Sequence, residues 1–138
     1  MTAKRIFGSE VLGAEAVSHC TLPTPLVLED RIRVFVGARD TGGRTRVYSV
    51  DLAKDDLSRI LDTKGPLFPL GCAGQFDEDG TTPSSVVQLP DGRVRLYYIG
   101  WNRSAGSVSY RLSIGSAISD DALSFRREFD GPLLDRSV

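Results

Sequence analysis

The sequence predicts an all-β protein made of two four-stranded antiparallel repeats. Three observations carry that expectation. Helical periodicity is nearly absent along the 138 residues. Short apolar runs rich in Val, Ile, Leu and Tyr are punctuated instead by Gly, Pro and Asp. The chain also matches itself at a spacing of about sixty residues.

The self-match fixes the elements. "LPTPLVLEDRIRVFVGARD" aligns with "TTPSSVVQLPDGRVRLYYIGWN": a Thr/Pro start, an apolar strand, an acidic turn, then Arg alternating with apolar residues and an aromatic. "RVYSVDL" corresponds to "LSIGSAIS", and "KGPLFPLG" (64–71) to "DGPLLDRS" (130–137). After a lead-in strand over 1–23, the first unit spans 24–68, with strands expected at 24–29, 31–38, 45–52 and 57–61. The second spans 69–138, with strands at 84–89, 93–100, 110–118 and 124–128. "RIRVFVGARD" and "RVRLYYIG" begin by alternating Arg with apolar residues and then become continuously apolar, the pattern of strands covered on both faces. "DLAKDDLSRIL" (51–61) has a helix-like look, but its flanks favour a β connection with at most one helical turn. "SDDALSF" (119–125) reads as a turn capped by Asp120 and Asp121.

A four-stranded antiparallel unit recurring at this spacing is the signature of a β-propeller blade. Two blades cannot close a ring, so the sequence predicts an incomplete ring in one chain. It is completed either by copies of the chain, as a homo-oligomer, or by the remainder of a longer propeller. Composition narrows the function classes. Charge is nearly balanced, 17 basic residues against 18 acidic, with no basic stripe, so neither nucleic acid nor an anionic membrane is an expected partner. No apolar run approaches spanning length. The first residues show no secretory pattern, which predicts a cytoplasmic protein. Cys20 and Cys72 with a single His form no metal-ligand spacing; both read as free buried thiols, and no metal or cofactor is expected.

"GQFDEDGTTPSSVVQLPDGRVRLYYIGWN" (74–102), "YRLSIGSAISDDALSFRREFDGPLLDRS" (110–137) and "SHCTLPTPLVLEDRIRVFVGARD" (18–40) resemble the five-bladed β-propeller glycosidase superfamily. That group includes arabinanases, invertases, levansucrases and mannoside phosphorylases; the likeness is greatest to its uncharacterised members. It covers about the first two blades of such a fold. It implies cleavage or transfer of a glycosidic bond, by hydrolysis or with phosphate, at a site on the channel rim. The alternatives are a non-catalytic carbohydrate-binding or assembly module, or an inactive fragment of a larger glycosidase-like protein.

In a blade the chain reverses at each turn, so the start of strand one and the turn between strands two and three share a rim. This gathers His19, Thr21 and Thr24 with Arg39, Asp40 and Arg44 in the first unit. In the second it gathers Asp77, Glu78, Asp79, Thr82, Ser84 and Ser85 with Trp101, Asn102 and Arg103. Acids, Arg, Asn, His and an aromatic at one channel mouth suit a sugar ring: Trp stacks on its apolar face and polar groups take hydroxyls. The resemblance makes Asp79, Asp77 or Glu78 the candidate catalytic carboxylate, and His19, Arg39, Asp40, Ser84, Trp101, Asn102 and Arg103 the substrate-binding set. The carboxylate pair that glycoside cleavage needs is incomplete, because "SHCTLPTP" holds no acid where the first blade should supply one. A phosphorylase needs no protein base, since phosphate attacks while held by Arg and His.

Structural roles compete for the same residues. Acids before a Gly cap turns, and His19 reads more readily as a hydrogen-bonded structural residue than as a catalyst. Arg39 and Asp40 read as an ion pair fixing the strand turn, and Trp101 as a plug between blades. Ser84 and Ser85 lack triad partners. Arg126, Arg127 and Glu128 read as an exposed, charge-protected edge.

Overall fold

The computed structural model describes residues 3–104 and 109–135. Among these residues the regular structure is eight β-strands and one short 3-10 turn, Ser9–Val11. The first unit comprises β1 (Ser18–Val27), β2 (Arg31–Arg39), β3 (Thr45–Ala53) and β4 (Ile60–Lys64). The second comprises β5 (Gly80–Gln88), β6 (Val94–Arg103), β7 (Tyr110–Ser119) and β8 (Arg126–Arg127). Every pairing within a unit is antiparallel. One parallel bridge, Thr45 to Gly80, joins the units into a single sheet of eight strands that is not closed.

Apolar residues on both faces of β2 and β3 explain their continuous runs. Phe35, Val47 and Leu26 face the second unit and share a core with Leu96, Tyr98, Phe68, Phe76 and Phe125. Phe35 meets Phe125 edge-on at 5.6 Å, and Phe68 lies 5.2 Å from Tyr98. On the opposite face Val34, Val36, Ala38, Tyr48, Val50 and Leu52 are roofed by the N-terminal segment through Leu12 and Ala16. Each such aliphatic or aromatic side chain contributes about 1.5–3 kcal/mol on burial. β6 alternates instead: Val94, Leu96 and Tyr98 are buried, while Arg95, Tyr97, Ile99 and Trp101 are half-buried.

Arg33 ties the units together. Its Nε and Nη2 donate to the two carboxylate oxygens of Asp51 at 2.7 and 2.8 Å. Its Nη1 reaches the Ala122 carbonyl in the second unit at 3.2 Å. Both side chains of the pair are buried, and Arg31 adds a third bond to Asp51 at 3.1 Å.

The strands depart from the expected bounds where polar sequence still pairs. β1 begins at Ser18 rather than 24, with one extra residue between Ser18 and Thr21 and another between Thr21 and Thr24. His19 and Leu22 absorb these bulges at φ 63° and 50°. β5 begins at Gly80 rather than 84 and carries its own bulge between Pro83 and Ser85. β4 starts at Ile60 rather than 57, because Asp56 caps a turn through the Ser58 N–H and hydroxyl, at 2.9 and 2.6 Å. No helical turn forms over 51–61.

Asp121 caps the 119–125 turn as expected, accepting from the N–H groups of Leu123 and Ser124 at 2.8 and 2.7 Å. Asp120 pairs with Arg126 instead. Both cysteines are free, but neither is fully buried: Cys20 is half-buried and Cys72 exposed. The expected exposed edge at 126–128 is also only partly so. Arg126 is exposed, whereas Arg127 and Glu128 turn inward to pair with Asp77 and Arg95. The expected match of 130–137 to 64–71 lies partly outside the described residues.

Candidate functional site

Register builds the site. Ser18 pairs with Arg39, Arg39 with Thr45, Thr45 with Gly80, Gly80 with Trp101, and Trp101 with Leu112. Residues directly opposite across strands project from the same sheet face, so one row of side chains crosses the seam between the units. Counting from "RIR" and "RVR", Arg39 and Trp101 hold the same position in the two repeats. One repeat places a cation there and the other an aromatic.

Above this row lies a cavity of about 350 Å³, within the size range of small-molecule sites. β1 contributes His19, Thr21 and Leu22, β2 Arg39, and β3 Thr45. Across the seam stand Thr82, Ile99, Trp101, Tyr110 and Leu112. Trp101 meets Tyr110 edge-on with centroids 6.5 Å apart. The Trp101 indole lies over Gly80, where a β-carbon would overlap it. Thr82 and Thr45 pack their methyl groups against Gly37, 2.8 and 3.1 Å from where its β-carbon would stand.

Of the residues expected on the rim, His19, Thr21, Arg39, Thr82 and Trp101 meet in this cavity. The His19 Nδ1 lies 2.9 Å from the Ser18 hydroxyl, and its Nε2 has no partner among the described residues. The Arg39 guanidinium engages none of the described residues in a hydrogen bond or ion pair. The expected Arg39–Asp40 pair does not form. Asp40 instead accepts from the N–H groups of Gly42 and Arg44, both at 2.9 Å, and from the Arg44 guanidinium. Burial pushes the Asp40 carboxyl up, but the Arg44 and Gly42 contacts outweigh it and hold the group below its usual range.

The three acids stand elsewhere, and none lines the cavity. Asp77 is 0% exposed, in the buried core beside Tyr98. One of its oxygens accepts from the Tyr98 hydroxyl at 2.9 Å and from the Arg127 Nε at 2.7 Å. Arg127 is fixed in turn by the Pro69 carbonyl at 2.8 Å and by the Phe68 ring, 5.7 Å from centroid to guanidinium. Burial, then the Asp77 charge, pushes the Tyr98 phenol well above its ordinary value. Glu78 caps the preceding turn through the Gly74 N–H at 2.6 Å. Asp79 accepts from the Arg103 N–H at 2.8 Å, with the Arg103 guanidinium 3.6 Å away. Ser84 sits exposed at the β5 bulge, and Asn102 is half-buried with its Oδ1 lacking a partner.

Sequence reasoning missed Leu22, Thr45, Ile99, Tyr110 and Leu112 at the cavity, and Arg127 as the counter-charge of Asp77. Tyr110 and Leu112 were legible in principle. The alternation of β7 against β6 puts them opposite Arg103 and Trp101. Among the described residues no group of three or more His, Cys, Asp or Glu is arranged to hold a metal ion. No helix there is long and apolar enough to cross a membrane.

Comparison with known proteins places this geometry in context. No family model matches the chain. Uncharacterised proteins from two strains of Mycobacterium tuberculosis are each 38% identical to it over 112 residues, 80% of this chain. The chain spans only 37% of the length of those relatives. Among solved structures it is similar to Zg3597, a family 117 glycoside hydrolase produced by the marine bacterium Zobellia galactanivorans. The TM-score is 0.70 at 21% identity, covering 89% of this chain and 36% of that one. The chain thus has a glycosidase-like fold, all-β, with its two four-stranded units in one open sheet.

Proposed function

We propose that the chain is part of a carbohydrate-active protein and binds a saccharide in the cavity over the Arg39–Trp101 row. The observation that carries this reading is the row itself. Two repeats bring a cation and an aromatic to one face, with His19 and three threonines around a sugar-sized space. The bulged, positive-φ backbone at His19 and Leu22 fits a site held in an unusual conformation. In this reading the two units are propeller blades, and the rest of the ring comes from copies of the chain or from further blades. Glycosidic cleavage or transfer then draws its acid from Asp79, which is half-buried and directly precedes Gly80 of the row. Asp77 is committed to Arg127 and Tyr98.

One observation favours a second reading, a non-catalytic carbohydrate-binding module: no carboxylate lines the cavity among the described residues. Turnover of aryl glycosides, with and without phosphate, separates the two. Activity lost in Asp79→Asn supports cleavage. Sugar binding without any turnover supports the binding module.

A further inference from the structure

The balance of charge around the cavity carries the saccharide reading further. Arg39 is the sole Arg or Lys lining it among the described residues, and no acid does so. The acids nearby along the chain are already engaged: Asp40 by Arg44, and Asp79 by Arg103. The local carboxylates therefore leave the Arg39 guanidinium uncompensated.

The opposite wall is apolar, made by Trp101, Tyr110, Leu112 and Ile99. Three strand steps separate Arg39 from Trp101 in the row, roughly 14 Å between backbones at ordinary strand spacing. Both long side chains line the same cavity of about 350 Å³, which suits one sugar ring and its substituent. The Thr45 and Thr82 hydroxyls lie between and have no partner among the described residues. A neutral sugar stacked on Trp101 satisfies the wall but offers the guanidinium only uncharged hydroxyls. A planar fork of N–H donors is matched by a carboxylate or phosphate oxygen pair.

Resting on the saccharide reading, we propose that the cavity selects a saccharide carrying its own negative charge, a uronate carboxylate or a phosphate ester. That anion sits on Arg39 and the ring on Trp101. His19 Nε2 stands on the same rim, placed to donate to the anion or to an adjacent hydroxyl.

Trp101 is the one tryptophan in the sequence, so its fluorescence reports the site directly. The test titrates the full chain with glucuronate, glucose 1-phosphate and glucose, and with glucose plus inorganic phosphate. The expected result is that at least one charged sugar binds about tenfold or more tighter than glucose. The preference disappears in Arg39→Gln and survives in part in Arg39→Lys. Response to glucuronate alone or to glucose 1-phosphate alone names the source of the anion. Arg39 is exposed, so the variant is expected to keep its fold, checked by circular dichroism. Should Arg39→Gln unfold, loss of the charged-sugar preference at high salt in the unaltered protein replaces it.

Equal affinity for glucose and the charged sugars overturns the proposal and leaves the saccharide reading standing. Glucose binding only with free phosphate also overturns it, because the anion then belongs to a co-substrate. No response to any sugar overturns the saccharide reading and this proposal with it.

Discussion

The indole of Trp101 occupies the space above Gly80, its in-register partner, so closely that a β-carbon at Gly80 would overlap the ring. Gly80 is therefore required by an aromatic ring on the neighbouring strand. Gly80→Ala is expected to force the indole out of the cavity at an overpacking cost of about 1–3 kcal/mol. A shifted tryptophan emission maximum, with saccharide response reduced about tenfold or more, is the expected reading. Unchanged emission would show that the ring does not rest there.

Asp77 and Asp79, two residues apart, are expected to respond in opposite ways. Removing Asp77 strands a largely buried Arg127 and a buried Tyr98 hydroxyl, so Asp77→Ala should lose about 3–5 kcal/mol. Tyr98→Phe should lose about 1 kcal/mol. Asp79→Asn disturbs a partly exposed pair and should change stability by less than about 1 kcal/mol. Urea denaturation of the three variants checks the ranking. An Asp77→Ala protein as stable as the parent would contradict the buried ion pair.

Acid should destabilise the protein through a definable set of carboxylates. Burial raises Asp51, but the Arg33 and Arg31 contacts outweigh it and leave it below its ordinary 3.8. Arg95 holds Glu128 below 4.5, and the backbone N–H groups of Ser124 and Leu123 hold Asp121 well below 3.8. A carboxylate depressed in the folded state adds stability that is complete above its unfolded value and is lost as pH falls through its folded value. The urea midpoint should thus be insensitive to these groups from neutrality to about pH 5 and fall below about pH 4. Asp51→Asn should flatten part of that fall.

Leu22 offers a test of the bulge. It is half exposed yet held at φ 50°, which costs an L-residue about 1–2 kcal/mol and glycine little. Leu22→Gly is expected to be neutral or slightly stabilising in thermal denaturation, despite losing an apolar side chain. A clear loss of stability would show that the side chain packs against the cavity wall more than its exposure suggests.

The repeat and the alternation of Arg with apolar residues made the two units legible, because strand periodicity and turn residues act locally. Strand starts were less so: at Ser18 and Gly80 polar Ser and Thr continue pairing through bulges, which leave no hydrophobic pattern to read. At the site, the shared rim gathered His19, Arg39 and Trp101, which line one cavity in the structure. The different placements of the three acids, none of which lines the cavity, were not legible because "DED" carries no mark of direction. Which carboxylate turns into the core depends on Arg127, fifty residues away. Tyr110 and Leu112 enter the cavity only through register across the sheet.

The Arg33 bond to the Ala122 carbonyl gives the duplicated architecture a consequence for folding. Phe35, Leu96 and Phe125 pack in one shared core, so neither repeat owns a complete interior. In a nearest-neighbour description of repeat proteins, the coupling between units then dominates the stability each has alone. The pair is the cooperative element: the halves are expected to melt in a single transition, and a cut through the 65–79 connection should leave two chains that fold only in each other's company.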